Sequence, residues 1–259
     1  PLRRARPSGN RRRRALEENR PMSRNLCAPR ALAASLCVCL LASFASADSI
    51  VRFQTNYGNI DLQLYDTAAP NTVANFLRYV NDGWYDYSTV HRSVPGFVIQ
   101  GGMDVIRWQD DVPGVYYMPT YDPIENEFSP DRSNLAGTIA MARQSGDPNS
   151  ATSQWFINMN DNVGLDDVDG GFTVFGHVLA GWDVCLAIQN LDVYDLTVYP
   201  QWEDRAWQEL PLGDAYDPDA GLYLSDLVLV YDAYVTPEPA SLCLLAVGGL
   251  ALLRRRRRR

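Results

Sequence analysis

Apolar and polar residues alternate from Ile50 to Leu64 with one interruption at Asn56-Tyr57-Gly58-Asn59. The spacing predicts two strands of a hairpin, with Ile60, Leu62 and Leu64 on one face. Beyond Pro70 the period changes: Val73, Phe76, Leu77 and Val80 fall at i, i+3, i+4 and i+7, which predicts a helix with one apolar stripe, stopped at Gly83. Short runs at 89–93, 97–100, 137–142, 154–158 and 173–179 predict further strands, 182–190 a second helix and 224–234 a last strand. No repeat or dinucleotide-binding pattern is present. Many short strands with turn-rich links indicate a sandwich or a barrel, and the pattern alone does not choose. Residues 104–131 and 191–222 read as two long loops, the second held down by packing of Trp202 and Trp207.

Charge divides the chain into three. Residues 1–47 carry ten Arg against Glu17 and Glu18, residues 48–236 seven Arg against twenty-eight acidic residues, and residues 237–259 six Arg against Glu238. The middle part, at −21, favours solubility and argues against nucleic-acid binding, which requires a basic face. The basic ends read as addresses. Arg24 and Arg30 precede an apolar run to Phe44, followed by Ala45-Ser46-Ala47, the layout of a secretory signal peptide over 22–47. On that reading Met22 is the start and 1–21 an upstream extension; a retained short anchor is the alternative. The domain at 48–236 then keeps Cys185 alone and forms no internal disulfide, so it relies on a packed core.

At the other end Pro237-Glu238-Pro239 breaks the chain, residues 240–253 are uncharged and mostly apolar, and Arg254 to Arg259 close it. As a helix this run spans about 21 Å at 1.5 Å per residue, short of the ~30 Å hydrocarbon core. Snorkelling arginines narrow that gap and give membrane contact through 240–253. The three-part layout resembles the PEP-CTERM sorting signal of exported bacterial proteins, which implies processing by an exosortase. The alternative is a permanent stop-transfer anchor with its arginines on the cytoplasmic side. Either address places the domain outside the cytoplasm, in the periplasm, at the cell surface, in the extracellular matrix or on the inner membrane.

Chemistry concentrates in Val90-His91-Arg92-Ser93-Val94-Pro95-Gly96-Phe97-Val98-Ile99-Gln100-Gly101-Gly102, one cation and one neutral amide among apolar residues. An Arg in a short apolar strand carries five donors that need acceptors, so it is either a strand-end cation on a solvated face or a working group. Three more blocks follow: Gly137 to Arg143, Ser153 to Asn158, and Gly171 to Val178. In this order the four blocks resemble the cyclophilin-type peptidyl-prolyl cis-trans isomerases over about residues 49–234. The resemblance implies a mainly β fold, a closed eight-stranded antiparallel barrel capped by two α-helices with a peptide groove outside. It implies catalysis by Arg92, a proline pocket of Phe97, Val98, Phe156 and Leu165, and backbone recognition by Gln100. Gln154 and the backbone of Ala142 and Arg143 would line the neighbouring subsite, with Phe172 at the groove edge. By sequence alone, Phe97, Phe156 and Leu165 serve equally well as core residues.

The substrates implied are proline-containing polypeptides, with no cofactor and no metal. His91 and His177, the only histidines, lack partners at metal spacing and read as satisfied structural residues. Asp166, Asp167 and Asp169, and likewise Asp214, Asp217 and Asp219, lack the full calcium-loop pattern and read as solvated carboxylates. The chain departs from many animal members at Val98 (Met there), Gly164 (Trp) and Phe172 (His), and Asp167-Val168-Asp169 is inserted. The resemblance ties cyclosporin binding partly to that Trp, which implies weak binding here. A proline-peptide binding module without turnover is the competing reading; such a module has no need of Arg92.

Overall fold

In the computed structural model residues 48–110, 112–199 and 207–237 are described. The expected signal peptide, the stretch before it, the sorting segment beyond 237 and Trp202 lie outside them. All of the described residues fall within one unit of the chain, which runs from Ala47 onward.

The predicted hairpin forms as β1 (Ile50–Thr55) and β2 (Gly58–Leu64), with Phe53 opposite Ile60 and Val51 opposite Leu62, all four facing the core. α1 (Pro70–Asn81) follows with its proline in the first turn, where a missing N–H costs nothing. β3 (Ser88–Val94), β4 (Val98–Gln109), β5 (Val112–Tyr117), β6 (Thr138–Met141), β7 (Trp155–Asn158) and β8 (Val174–Ala180) come next, then α2 (Trp182–Gln189). Two-residue strands β9 (Val193–Tyr194) and β10 (Leu210–Pro211) pair with each other, and β11 (Leu229–Val235) ends the described fold.

Hydrogen bonding runs β3-β11-β1-β2-β8-β6-β7-β4, and β4 returns to β3, so eight antiparallel strands close on themselves. Closure removes sheet edges. β5 is a ninth strand on the far half of β4. The sequence pattern reads this part of 104–131 as loop; the structure corrects it to a hairpin whose Ile106 and Val115 belong to a second apolar cluster. Pro113 and Gly114 hid it, because both weaken strand patterns, and Pro is tolerated here only because β5 is an edge strand. The last strand also starts later than expected: Leu224–Asp226 is a 3-10 turn, and β11 begins at Leu229.

The helices close opposite ends. At one, the Asn75 side chain of α1 donates to the Thr152 carbonyl, and Phe76 meets Phe53 and Phe175 at ring separations of 6.0 and 5.0 Å. At the other, Gln189 of α2 accepts from the Gly96 N–H between β3 and β4. A second core forms outside the barrel from Ile106, Leu196, Trp207, Leu210, Leu212, Leu227 and Leu229. Trp207 is fully buried and its indole N–H reaches Asp104 at 2.8 Å, so much of 191–222 is a packed flap rather than a free loop.

Gly101 and Gly102 let the barrel wall come close to the Trp155 indole. A Cβ on Gly101 would lie 2.5 Å from that ring, and one on Gly102 2.5 Å from the Ser153 carbonyl, at φ +83°. Overfilling a packed core costs about 1–3 kcal/mol. Gly101→Ala therefore lowers the unfolding free energy by about that much, read from urea midpoints, and shifts the near-ultraviolet tryptophan signal.

Candidate active site

Between β3 and β4 the chain turns in four residues, Val94-Pro95-Gly96-Phe97. The Phe97 N–H donates to the Val94 carbonyl at 2.9 Å and Gly96 has φ +73°. Proline at the second place and a left-handed glycine at the third are what a type II turn requires. The turn fixes register, and Arg92 lies opposite Gln100. Alternation then sorts the side chains: Ile99, Trp155 and Ile157 face the core, while Val98, Gln100 and Phe156 face outward.

Outside the wall of β6, β7 and β4 lies a concavity of about 180 Å³. Arg92 and Gln100 line it on one side, with Phe97, Val98 and Phe156 beside them. Leu165, on a 3-10 turn (Val163–Asp166), and Phe172, Ala142 and Arg143 complete the lining. Nine of the ten residues singled out by sequence thus share one cleft. The tenth, Gln154, is one bond away, accepting from the Gln100 amide at 3.0 Å. Phe97, Phe156 and Leu165, which sequence left open as core residues, belong to this outer cluster and not to the barrel core.

The two arginines of the groove differ in what they hold. Arg143 lies over the Phe172 ring at 4.3 Å and donates to the Val168 carbonyl at 2.8 Å, with its side chain only 2% exposed. The inserted 167–169 segment thus locks it as part of the wall. Arg92 donates through Nε to Glu209 at 2.6 Å and through Nη1 to the Gln100 side-chain Oε1 at 3.5 Å. Among the described residues its Nη2 has no partner. That edge is a donor left open beside an apolar groove.

Beneath the pocket, sequence reasoning missed a chain of amides, Asn134 and Asn158 buried and Asn162 half-buried. Asn134 donates to the Phe172 carbonyl at 3.2 Å, Asn158 donates to Asn134 at 3.1 Å, and Asn162 donates to Asn158 and to the Phe97 carbonyl, each at 2.8 Å. Both walls hang from this network. The available signal was three asparagines flanking apolar blocks, which does not distinguish a network from turn residues. Glu209 was missed because it sits in a segment read as loop, although Trp207, Leu210 and Leu212 around it announce burial.

Two expectations are corrected. Asp166 is not a solvated carboxylate: Ser133 and Asn134 donate to it. Burial alone would push its carboxyl up, but these hydrogen bonds outweigh burial and hold it below the usual carboxylate range. His91 is structural but not satisfied, and His177 likewise keeps a buried Nδ1 without a partner among the described residues. His91 is fully buried next to Arg92, and neither ring nitrogen has a protein partner among the described residues. Burial first, then the Arg92 charge, hold its imidazole down at about 3. Among the described residues no group of three or more His, Cys, Asp or Glu is placed to hold a metal.

The family model described as cyclophilin type peptidyl-prolyl cis-trans isomerase matches residues 50–205, and the chain belongs to that family. A peptidyl-prolyl cis-trans isomerase of Acinetobacter baylyi is 40% identical over 154 residues, 59% of this chain and 78% of that protein. Peptidyl-prolyl cis-trans isomerase A of Dickeya dadantii is 40% identical over 177 residues, 66% of this chain and 89% of that protein. A cyclophilin type isomerase of Cryptosporidium parvum superposes with a TM-score of 0.52 at 21% identity, covering 74% of this chain and 99% of that one, which speaks for the fold. The PEP-CTERM protein-sorting motif matches residues 235–258, marking an exported, sorted protein and exosortase-related processing. Among the described residues no helix is long and apolar enough to cross a membrane.

His91 gives a pH test. Its folded value lies below the unfolded one near 6.5, so the unfolded chain binds the extra proton between about 3 and 6.5. The stability is present in full above 6.5 and drains as pH falls, by up to about 1.4 kcal/mol per pH unit. His91→Leu is at least as stable as wild type at pH 7.5, and its advantage widens toward pH 4 in urea titrations.

Proposed function

We infer that this chain accelerates cis-trans isomerisation of X-Pro bonds in exported polypeptides, and that Arg92 is the group that meets the reacting amide. Resonance gives that bond a barrier of about 18–20 kcal/mol, and in the planar ground state the prolyl nitrogen lone pair is tied up in it. In the twisted transition state the nitrogen becomes pyramidal and accepts a hydrogen bond. A donor waiting there stabilises the transition state and not the ground state, which raises the rate rather than the affinity alone. The observation that carries this reading is the open Nη2 edge of a permanently charged guanidinium on the rim of an apolar pocket.

The other residues hold the substrate still. Phe97, Val98, Phe156 and Leu165 receive the proline ring, which leaves the preceding carbonyl as the part that turns. Gln100, its amide oriented between Arg92 and Gln154, holds the substrate backbone. Gln154, Ala142 and Arg143 border the neighbouring subsite, and Phe172 closes the edge, packed against Phe156 at 5.6 Å. Arginine stays charged across physiological pH, so no proton transfer enters the step. The domain acts after export, in the periplasm, at the cell surface or in the matrix. Removal of a signal peptide at 22–47 precedes this, and membrane contact through 240–253 lasts until the tail is processed.

A protease-free isomerisation assay on the full chain tests the assignment. Arg92→Ala lowers kcat/KM by about 100-fold or more, the scale of losing one transition-state donor. Its unfolding free energy changes by no more than about 1 kcal/mol, because the ion pair lost is partly exposed. Equal rates in wild type and variant would instead favour a proline-peptide binder.

Gly164 gives a second test. A side chain there meets nothing within 4 Å, so the groove lacks a wall that many animal relatives supply with Trp. Cyclosporin inhibits the wild-type chain only weakly, and Gly164→Trp tightens inhibition by about tenfold or more while the protein stays folded. A nanomolar inhibition constant for the wild type would refute the assignment of that wall.

A further inference from the structure

Glu209 reaches Arg92 from far along the chain. Its Oε2 accepts from Arg92 Nε at 2.6 Å, and the two side chains are 31% (Arg92) and 39% (Glu209) exposed. The carboxylate is delivered by packed backbone. The Ser93 N–H, next to Arg92, donates to the Glu209 carbonyl at 2.8 Å, and Leu210 and Trp207 on either side are fully buried. The Leu196 N–H donates to the Trp207 carbonyl at 3.0 Å, and the Leu212 N–H to the Asp192 carbonyl at 3.0 Å. The described parts of the flap, 191–199 and 207–222, are thus tied to each other and, through Glu209, to β3 at the residue beside the working cation.

We propose that Glu209 is a positioning residue, which clamps the Arg92 guanidinium by its Nε edge so that Nη2 faces the twisted prolyl nitrogen. This rests on the reading of Arg92 given above. A free arginine has many rotamers, and ordering one during the reaction is costly. The bond to Gln100 is too long to hold the side chain alone. With the Nε edge fixed, the planar fork has one remaining freedom, and preorganisation of that kind acts on the chemical step.

Four measurements on the full chain test this. Glu209→Ala lowers kcat by about tenfold with KM nearly unchanged, as expected when a donor loses its aim but the pocket is intact. Glu209→Gln keeps an acceptor oxygen and recovers most of the rate. In 15N spectra the Arg92 Nε–H signal is protected from solvent exchange in the wild type and in Glu209→Gln, and loses that protection in Glu209→Ala, while the backbone signals of Ser93 and Leu210 stay in place. A rise in kcat on Glu209→Ala would make the carboxylate an inhibitor and overturn the proposal. So would a lost rate accompanied by displaced Ser93 and Leu210 signals, which marks a purely structural role. Arg92→Ala is measured alongside: a full rate there sinks the reading of Arg92 and this inference with it, whereas a slow Arg92→Ala beside a fast Glu209→Ala sinks this inference alone.

Discussion

Register in the ladder between β3 and β4 governs the rest. Side chains on a strand alternate with a period of two, so a slip of one residue would drive Arg92 toward the core and put Ile99 on the groove. Three local features prevent it. The Pro95-Gly96 turn sets the first pair, Gln189 accepts from the turn, and Trp155 fills the space over Gly101 and Gly102. Each is unremarkable as packing. Together they place a cation and an amide opposite one another on the outside of a closed barrel.

Closure explains why the groove lies outside. Eight strands leave an interior just wide enough for side chains, and here it is filled by Phe53, Phe76, Trp155 and Phe175. A peptide has no room within, and the outward face of β6, β7 and β4 carries an apolar cluster of Val98, Ala140, Phe156 and Val174. The buried amides Asn134 and Asn158, with the half-buried Asn162, then hold the two pocket walls, Phe97 and Phe172, at a fixed separation. A satisfied buried network is rigid because every alternative leaves a polar group unpaired.

Much of this was legible in the chain. The 2-to-3.6 change of period near Pro70 gave β1, β2 and α1, because each element buries one clean face. The groove residues were legible through four ordered blocks, which no periodicity argument would have joined. What failed did so for physical reasons. β5 carries Pro and Gly at an edge, where pattern is weak, and β10 is two residues long. Asp166 looks like any loop carboxylate until Asn134, thirty-two residues away, folds onto it. His91 breaks the rule that buried polar groups find partners, so the rule misjudged it. Glu209 is 117 residues from Arg92, and only the packed flap brings them together.

The arginines decide which reading of the groove the fold favours. The chain has no lysine, and among the described residues the other arginines find carboxylates, carbonyls or aromatic rings. Arg52 is held by both oxygens of Asp61, Arg132 by the Glu127 and Val174 carbonyls, and Arg143 by Val168 and Phe172. Arg78 lies over Tyr121 and Arg107 over Trp84. Arg92 is held at Nε, with its open Nη2 beside the apolar residues of the groove. A groove meant only to grip proline could use that open donor on a carbonyl oxygen, but not on the planar prolyl amide nitrogen, which accepts no hydrogen bond. On the role proposed for Arg92, the donor gains the prolyl nitrogen as a partner when the bond is twisted, and that coupling of donor to geometry is what separates an isomerase from a clamp.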